Sequence, residues 1–362
     1  MDGGREKSVS QRERLELTVT ALFPEAVGLM AVPVAAAGRG AWLAPILALP
    51  VGLWLCRAWG RLGREGLGAG LRRAWGPFLG GAFSWVYLTW GLFLLAVSAR
   101  RYADRLFSAG RGDGSRWLFL LVTLGLTLWL GRRRGAFART GRLFFLATGV
   151  TLGAVLLLSV PSLRWENLLP LWTDELAGVP AGALGVLSLA GYGVYGLCLP
   201  VGDGARPRSW PWAVWSCGAL SALLLAVVGA FGPALTLEMD EPLLYLLKGV
   251  GVPGAFQRGE AVLAAILALA DLILLGILEH GCRGLWRAAL PKWEKGGTAL
   301  VVLAFLAGGL IPGREMVLFF SEGVAPLGNL VLGVVLPSVA VLTMGRQKDE
   351  PGRATSCGKK ET

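Results

Sequence analysis

The chain has 362 residues, 54% of them hydrophobic and only 16% charged, with a formal net charge of +11. A soluble domain carries roughly a quarter charged residues, so this composition excludes an ordinary soluble globule and indicates a polytopic membrane protein. The positive charge does not point to nucleic acid, because the basic residues stand in short clusters between apolar runs, as at Arg132-Arg133-Arg134.

Residues 1–14 form a charged N-terminal arm without the short apolar core and small-residue cleavage site of a secretory leader, so no segment is expected to be removed. Ten apolar segments follow, at 17–37, 41–60, 77–99, 117–131, 143–161, 181–200, 212–233, 260–281, 298–312 and 324–344. A helix needs about 20 such residues to cross the hydrocarbon core, which makes the fourth and ninth segments short. The expected fold is all-α, a single transmembrane domain of about ten helices over 15–344, followed by a polar tail at 345–362 that is expected to be disordered.

Orientation follows from Lys and Arg, which favour cytoplasmic connections. With the N-terminus inside, the inner connections hold 25 of these residues and the outer ones ten, so both termini are placed in the cytoplasm. One outer connection runs against the rule: 100–116 carries five arginines. Two other outer connections, 162–180 and 234–253, mix acids with leucines and aromatics, as short amphipathic interfacial helices do.

In the first segment, ALFPEAVGLMAVP combines Pro24 and Gly28 with Glu25, about 12 Å along the helix from Leu17. An acid at that depth is costly and is by default a functional candidate; the alternative is an acid that pairs with an arginine or reaches the interface. The sixth segment contains Gly191-Tyr192-Gly193-Val194-Tyr195-Gly196, the G-x-G-x-x-G spacing of a dinucleotide turn, yet apolar sequence flanks it on both sides and no acid follows at the required distance. Glycines weaken a helix, so this stretch is read either as a break whose free N–H groups suit a carboxylate or as a surface for close helix packing. The eighth segment carries Glu260, Asp271, Glu279 and His280. Asp271 stands three turns beyond Glu260 on the same face, near the midplane, whereas Glu279 is placed to pair with Arg283 at i, i+4. The five cysteines show no metal or redox spacing, and with one histidine and no nucleophile motif the chain offers no catalytic constellation and no cofactor site.

Several stretches in order resemble the spore germination permease family, the B subunits of nutrient germinant receptors, which are related to amino acid-polyamine-organocation transporters. Leu29-Met30-Ala31-Val32-Pro33 followed by AAAGRGAWL is similar to that family's G-I-L-x-x-P and A-G-x-D-A-W, with Pro33, Gly38, Ala41 and Trp42 retained and Gly40 in place of the aspartate. Asn167-Leu168-Leu169-Pro170 resembles its N-L-L-P, Gly191-Tyr192-Gly193 stands where members have G-F-E, and Phe256-Gln257-Arg258-Gly259-Glu260-Ala261 is similar to R-x-E-A. The resemblance implies a transporter-like fold of two inverted five-helix repeats in the bacterial cytoplasmic membrane, by resemblance the inner membrane of a spore. It implies a small nutrient, such as an amino acid, bound between the broken first and sixth helices, with other receptor subunits as partners. The expected binding residues are Glu25, Val27, Gly28, Leu29, Gly191, Tyr192, Gly193 and Tyr195, and Glu25 and Asp271 are the candidates for carrying protons. The alternatives are a proton-coupled amino acid permease and a scaffold subunit that binds no ligand.

Overall fold

The computed structural model describes residues 9–63, 65–109, 115–132, 134–170, 174–199, 209–239, 241–249 and 259–349. Among these the chain is built of helices α1 (Gln11–Gly28), α2 (Ala31–Ala37), α3 (Ala44–Leu62), α4 (Leu67–Ala109), α5 (Arg116–Arg132), α6 (Arg134–Ser159), α7 (Val179–Ser188), α8 (Ala190–Gly193) and α9 (Trp210–Glu238). After these come α10 (Pro242–Gly249), α11 (Gly259–Ala289), α12 (Glu294–Leu310), α13 (Gly313–Leu318), α14 (Ala325–Leu330) and α15 (Leu336–Asp349). The protein has an all-α polytopic membrane fold, as hydrocarbon demands when every backbone group must be satisfied within its own segment.

Among the described residues seven helical stretches are long and apolar enough to cross a membrane: Ala31–Leu62, Leu67–Phe107, Gly135–Ser162, Asp174–Cys198, Trp210–Glu238, Ala261–Ala289 and Glu315–Met344. The fourth and ninth apolar segments lie in α5 and α12, both 17 residues long, and most of the first lies in α1, whose first two turns are charged. Of the ten expected spans, the described residues thus show seven helices of spanning length, and the number ten is not confirmed.

Local sequence explains where helices begin and bend. Ser10 opens α1 with a capping box: its hydroxyl accepts from the Glu13 N–H and the Glu13 carboxylate accepts from the Ser10 N–H at 2.8 Å. The helix thus starts inside the arm that the charge pattern extends to residue 14. The two Gly-Pro pairs bend long helices, Gly76 in α4 with φ of 81° and Gly232 in α9 with φ of 77°, values that glycine alone adopts at little cost. At the other end of the chain α15 continues to Asp349, past the expected start of the tail, and residues 1–8 and 350–362 lie outside the described residues.

Connections assigned to one side of the membrane meet at one end of the bundle. At the near end, which holds the start of α1, Arg14 donates to the Gly63 carbonyl and Arg72 donates to the Ala288 carbonyl. At the far end, Arg39 donates to the Leu169 carbonyl, and Arg100 donates to the carbonyls of Gly309 and Ile311 at the end of α12. The described residues of the connection at 162–180 form 3-10 turns at Val160–Ser162, Trp165–Asn167 and Asp174–Gly178, where amphipathic α-helix was expected. Pro161 just before it, Pro170 within it and the polar Trp165-Glu166-Asn167 turn break the described part of the connection before a full α-helix can form. Within it, Asn167 donates to the Gly229 carbonyl at 3.0 Å, which ties N-L-L-P to the bend of α9. The later connection does contain an amphipathic helix, α10, with Leu243 and Leu246 buried and Tyr245 exposed. Motif residues 256–258 lie outside the described residues.

Candidate ligand-binding site

The first and sixth apolar segments are both interrupted, but by tight turns. Between α1 and α2, Leu29 N–H returns to the Glu25 carbonyl and Met30 N–H to Val27, and Pro33 in the next turn leaves a carbonyl to be used by Val32 N–H at Leu29. Between α7 and α8, Leu189 keeps right-handed helical angles, Tyr192 and Gly193 N–H both return to its carbonyl, and the chain tightens to a 3-10 turn at Val194–Cys198. Gly193 has φ of −63° and ψ of −29°, so the glycine run stays helical up to Cys198, and no unwound stretch with free donors forms there.

The glycines serve packing instead. A Cβ on Gly191 would overlap the Asn329 side chain in α14, and one on Gly193 would sit 2.8 Å from the Trp59 ring. The last helical stretch answers with two π-helical turns, Phe319–Val324 leading into the tenth segment and Val331–Val335 within it, the second of which places Gly333 against the backbone of Gly191. Small residues on both partners let these backbones approach, the usual device for helices that lipid does not drive together. Tyr195 belongs to the same packed region: it is fully buried and its hydroxyl donates to the Tyr87 carbonyl at 2.7 Å.

Glu25, Gly28 and Tyr192 do come together, and the group that joins them is one the sequence placed in a loop. The helix α4 does not stop near residue 99; it continues through Arg100, Arg101 and Arg105. Arg101 donates to Glu25 Oε2 at 2.6 Å, and Ser98, one turn earlier, donates to Oε1 at 3.2 Å. The Arg101 guanidinium lies directly over Gly28, with Cζ 3.2 Å from where a Cβ would be. The Tyr192 phenol is buried and faces both Glu25 and Arg101. Val27 and Leu29 are buried beside them.

One turn further along α4, Arg105 pairs with Asp271 of α11 and with Glu241, 3.1 Å from its Nε. Arg100 pairs with Asp104 at 2.9 Å, and Asp104 also holds Arg116 of α5 at 2.7 Å. Both candidate proton carriers thus sit in buried ion pairs: the side chains of Glu25 and Asp271 are 3% and 9% exposed. Three of the five arginines at 100–116, the stretch that ran against the charge rule, are thus ion-paired within the protein.

These pairs form the base of a far-end cavity of about 970 Å³, bounded by α4, α10, α11 and the α1 terminus at Val27 and Gly28. Its wall carries Arg100, Arg101, Arg105, Arg116 and Lys248 together with Asp104, Glu241 and Glu322. Glu25 and Asp271 are absent from that wall: an entering molecule meets the guanidinium groups first and the two acids lie behind them. The volume suits a small ligand, and an arginine fork suits a carboxylate. Of the residues expected at the site, Val27 and Gly28 border this cavity, Glu25 and Tyr192 stand behind its base, and Leu29, Gly191 and Tyr195 are in neither cavity wall. Gly193 borders a second, mainly apolar cavity of about 210 Å³ between α1, α3, α6 and α9.

Elsewhere in α11 the expected pair forms, with Arg283 donating to Glu279 at 2.7 Å, and His280 stacks on Phe137 with its Nδ1 on the Gly276 carbonyl. Among the described residues no group of three or more His, Cys, Asp or Glu side chains is arranged to hold a metal ion. No protein-family model matches the chain, and no curated protein matches it.

Proposed function

We propose that this chain is the membrane subunit of a receptor for a small nutrient, of the germinant-receptor type that its sequence resembles, and that the nutrient enters the far cavity and is held by a carboxylate on Arg101. The observation that carries the reading is Arg101 itself: a guanidinium at the base of a cavity of ligand size, laid over a glycine and braced from behind by Glu25. Amino acids are one class of such nutrients. The Lys and Arg distribution supports termini in the cytoplasm of a bacterial cell, which would turn the far cavity outward, where a nutrient arrives. Binding alters the contacts of Arg101 with α1 and, through Glu25 and Tyr192, with α8. A ligand moves a conformational equilibrium only by its differential affinity for the two states, and this cluster is where that difference arises. Partner subunits carry the shift onward.

A proton-coupled permease is the second reading, favoured by two buried acids at the base of a solute cavity. Uptake of radiolabelled amino acids by sealed proteoliposomes, with and without an inward proton gradient, separates the two. Saturable retention without accumulation supports the receptor. Gradient-driven accumulation that is lost in Asp271→Asn makes the chain a permease. Neither retention nor accumulation, together with no ligand-induced stabilisation, would leave a scaffold subunit and sink the binding site.

A further inference from the structure

We propose that the second cavity, between α1, α3, α6 and α9, holds one acyl chain of an anionic phospholipid, whose phosphate sits on Arg14 at the near end. The volume of about 210 Å³ is drawn out along α1 from Arg14 to Ala26, about 18 Å at 1.5 Å per residue. It is therefore a narrow slot, shaped for an extended chain. Its walls are mainly leucine, alanine and aromatic side chains, which offer water few groups to bond. The slot reaches the outer surface of the bundle: Trp215 lines it and is 39% exposed. At that level Phe145 of α6 packs against Trp212 and Trp215 of α9, with ring centroids 5.2 and 5.5 Å apart. These side chains bridge the two helices near the start of α9, and indoles suit the depth of lipid headgroups.

Arg14 sets the charge of the occupant. Among the described residues it is the one charged side chain in the slot wall; it is buried and donates to the Gly63 carbonyl at 3.1 Å. The neighbouring acids are engaged elsewhere, Glu13 in the capping box and Glu16 with Arg12 at 2.9 Å, and among the described residues no carboxylate pairs with Arg14. A buried cation without a counter-ion is unfavourable, and an anion at its side offsets that cost. One turn along α1, Thr18 accompanies Trp59 of α3 at Gly193, and the Trp59 indole N–H is buried with no partner. In a phospholipid an ester carbonyl lies just below the phosphate, so a head seated on Arg14 brings an acceptor to the level of this donor. In the orientation that the Lys and Arg distribution supports, this end of α1 faces the cytoplasmic leaflet, where anionic lipids are found. The slot shares no lining residue with the far cavity. A chain within it packs along the helix whose other end presents Glu25 and Gly28 to Arg101, and so holds that helix in place.

The test uses the full chain in detergent micelles and a phosphatidylglycerol that carries a diazirine near the end of one acyl chain. Photolysis and mass spectrometry of the digested protein should place one saturable label on slot-lining residues of α1, α3, α6 or α9. Unlabelled phosphatidylglycerol should displace it at concentrations about tenfold below those needed of phosphatidylcholine, and Arg14→Gln should weaken labelling by about tenfold or more, as loss of a charge-assisted bond does. Arg14→Gln also gives up the bond to Gly63, so a second variant fills the slot instead. Gly52 is in the slot wall, and the nearest atom to a Cβ added there is 3.8 Å away. Gly52→Leu should fold with an unchanged or raised unfolding midpoint and lose the label. Label scattered over the lipid-facing helices without saturation, undiminished slot labelling in Gly52→Leu, or a Gly52→Leu chain that fails to fold overturns the site. Equal displacement by phosphatidylcholine overturns the role of Arg14. Displacement by oleate and not by phosphatidylglycerol makes the occupant a free fatty acid and overturns the phospholipid.

Discussion

Replacing Gly28 by alanine should destabilise the protein by way of Arg101. A Cβ at residue 28 would overlap Nη2 of Arg101 and lie 3.2 Å from Cζ, so the guanidinium has to move. The Arg101–Glu25 bond is 2.6 Å long. A shift of about 1 Å takes it beyond the ~3.2 Å limit of a good N–H···O bond. Losing a charge-assisted bond costs about 1.5–3 kcal/mol. Arg101 borders the cavity and has room to swing outward, which places the cost near the lower end of that range, whereas Glu25 remains buried with the hydroxyls of Ser98 and Tyr192 beside it. Thermal unfolding of the detergent-solubilised protein, with Gly28→Ala, Arg101→Ala and the double variant in the same micelle, measures the coupling. Gly28→Ala should lower the midpoint in the wild-type background and have little further effect once Arg101 is gone. An equal loss in both backgrounds would show that the glycine is needed for the turn itself, and a wild-type midpoint for Gly28→Ala would refute the contact altogether.

Other consequences follow from the same geometry. Arg105→Leu strands Asp271 and Glu241 and should cost roughly 3–5 kcal/mol, with partial recovery in Arg105→Leu/Asp271→Leu, read as unfolding midpoints. Gly191→Ala should destabilise by roughly 1–3 kcal/mol through overpacking on Asn329, and Asn329→Ala should relieve part of that loss; additive effects would dismiss the close approach of α8 and α14. In a variant lacking the native cysteines, Trp165→Cys and Leu290→Cys should react with an impermeant maleimide from opposite sides of a sealed vesicle, because their connections lie at opposite ends of the bundle; reaction from the same side would break the topology.

The membrane fold was legible because hydrocarbon imposes a simple rule, and each apolar run lies largely within helix. Pro24 misleads, since it sits inside α1 without ending it, but Gly76-Pro77 and Gly232-Pro233 mark real bends, and the third and seventh segments were bounded at those prolines. The interruptions at Leu29 and Leu189 were also readable from glycine and proline, although their form was not: whether a glycine run unwinds or packs depends on what faces it, and Asn329, Trp59 and Gly333 lie far away in sequence. The arginines of α4 were missed for the opposite reason. Their charge ended the apolar run at residue 99, and only the partners from α1 and α11 and at position 241 allow the helix to carry them inward. One signal was available: two midplane acids, Glu25 and Asp271, require cations, and Arg101 and Arg105 stand one turn apart on a single helix face.

The central claim is that Arg101 holds a ligand carboxylate at the base of the far cavity. Equilibrium binding of a panel of radiolabelled amino acids and small carboxylates to the purified wild-type chain and to Arg101→Gln tests it most directly, with the unfolding midpoint of each measured alongside. The account predicts saturable binding of at least one compound to the wild type and its loss in a variant that is still folded. Undiminished binding to folded Arg101→Gln would contradict it.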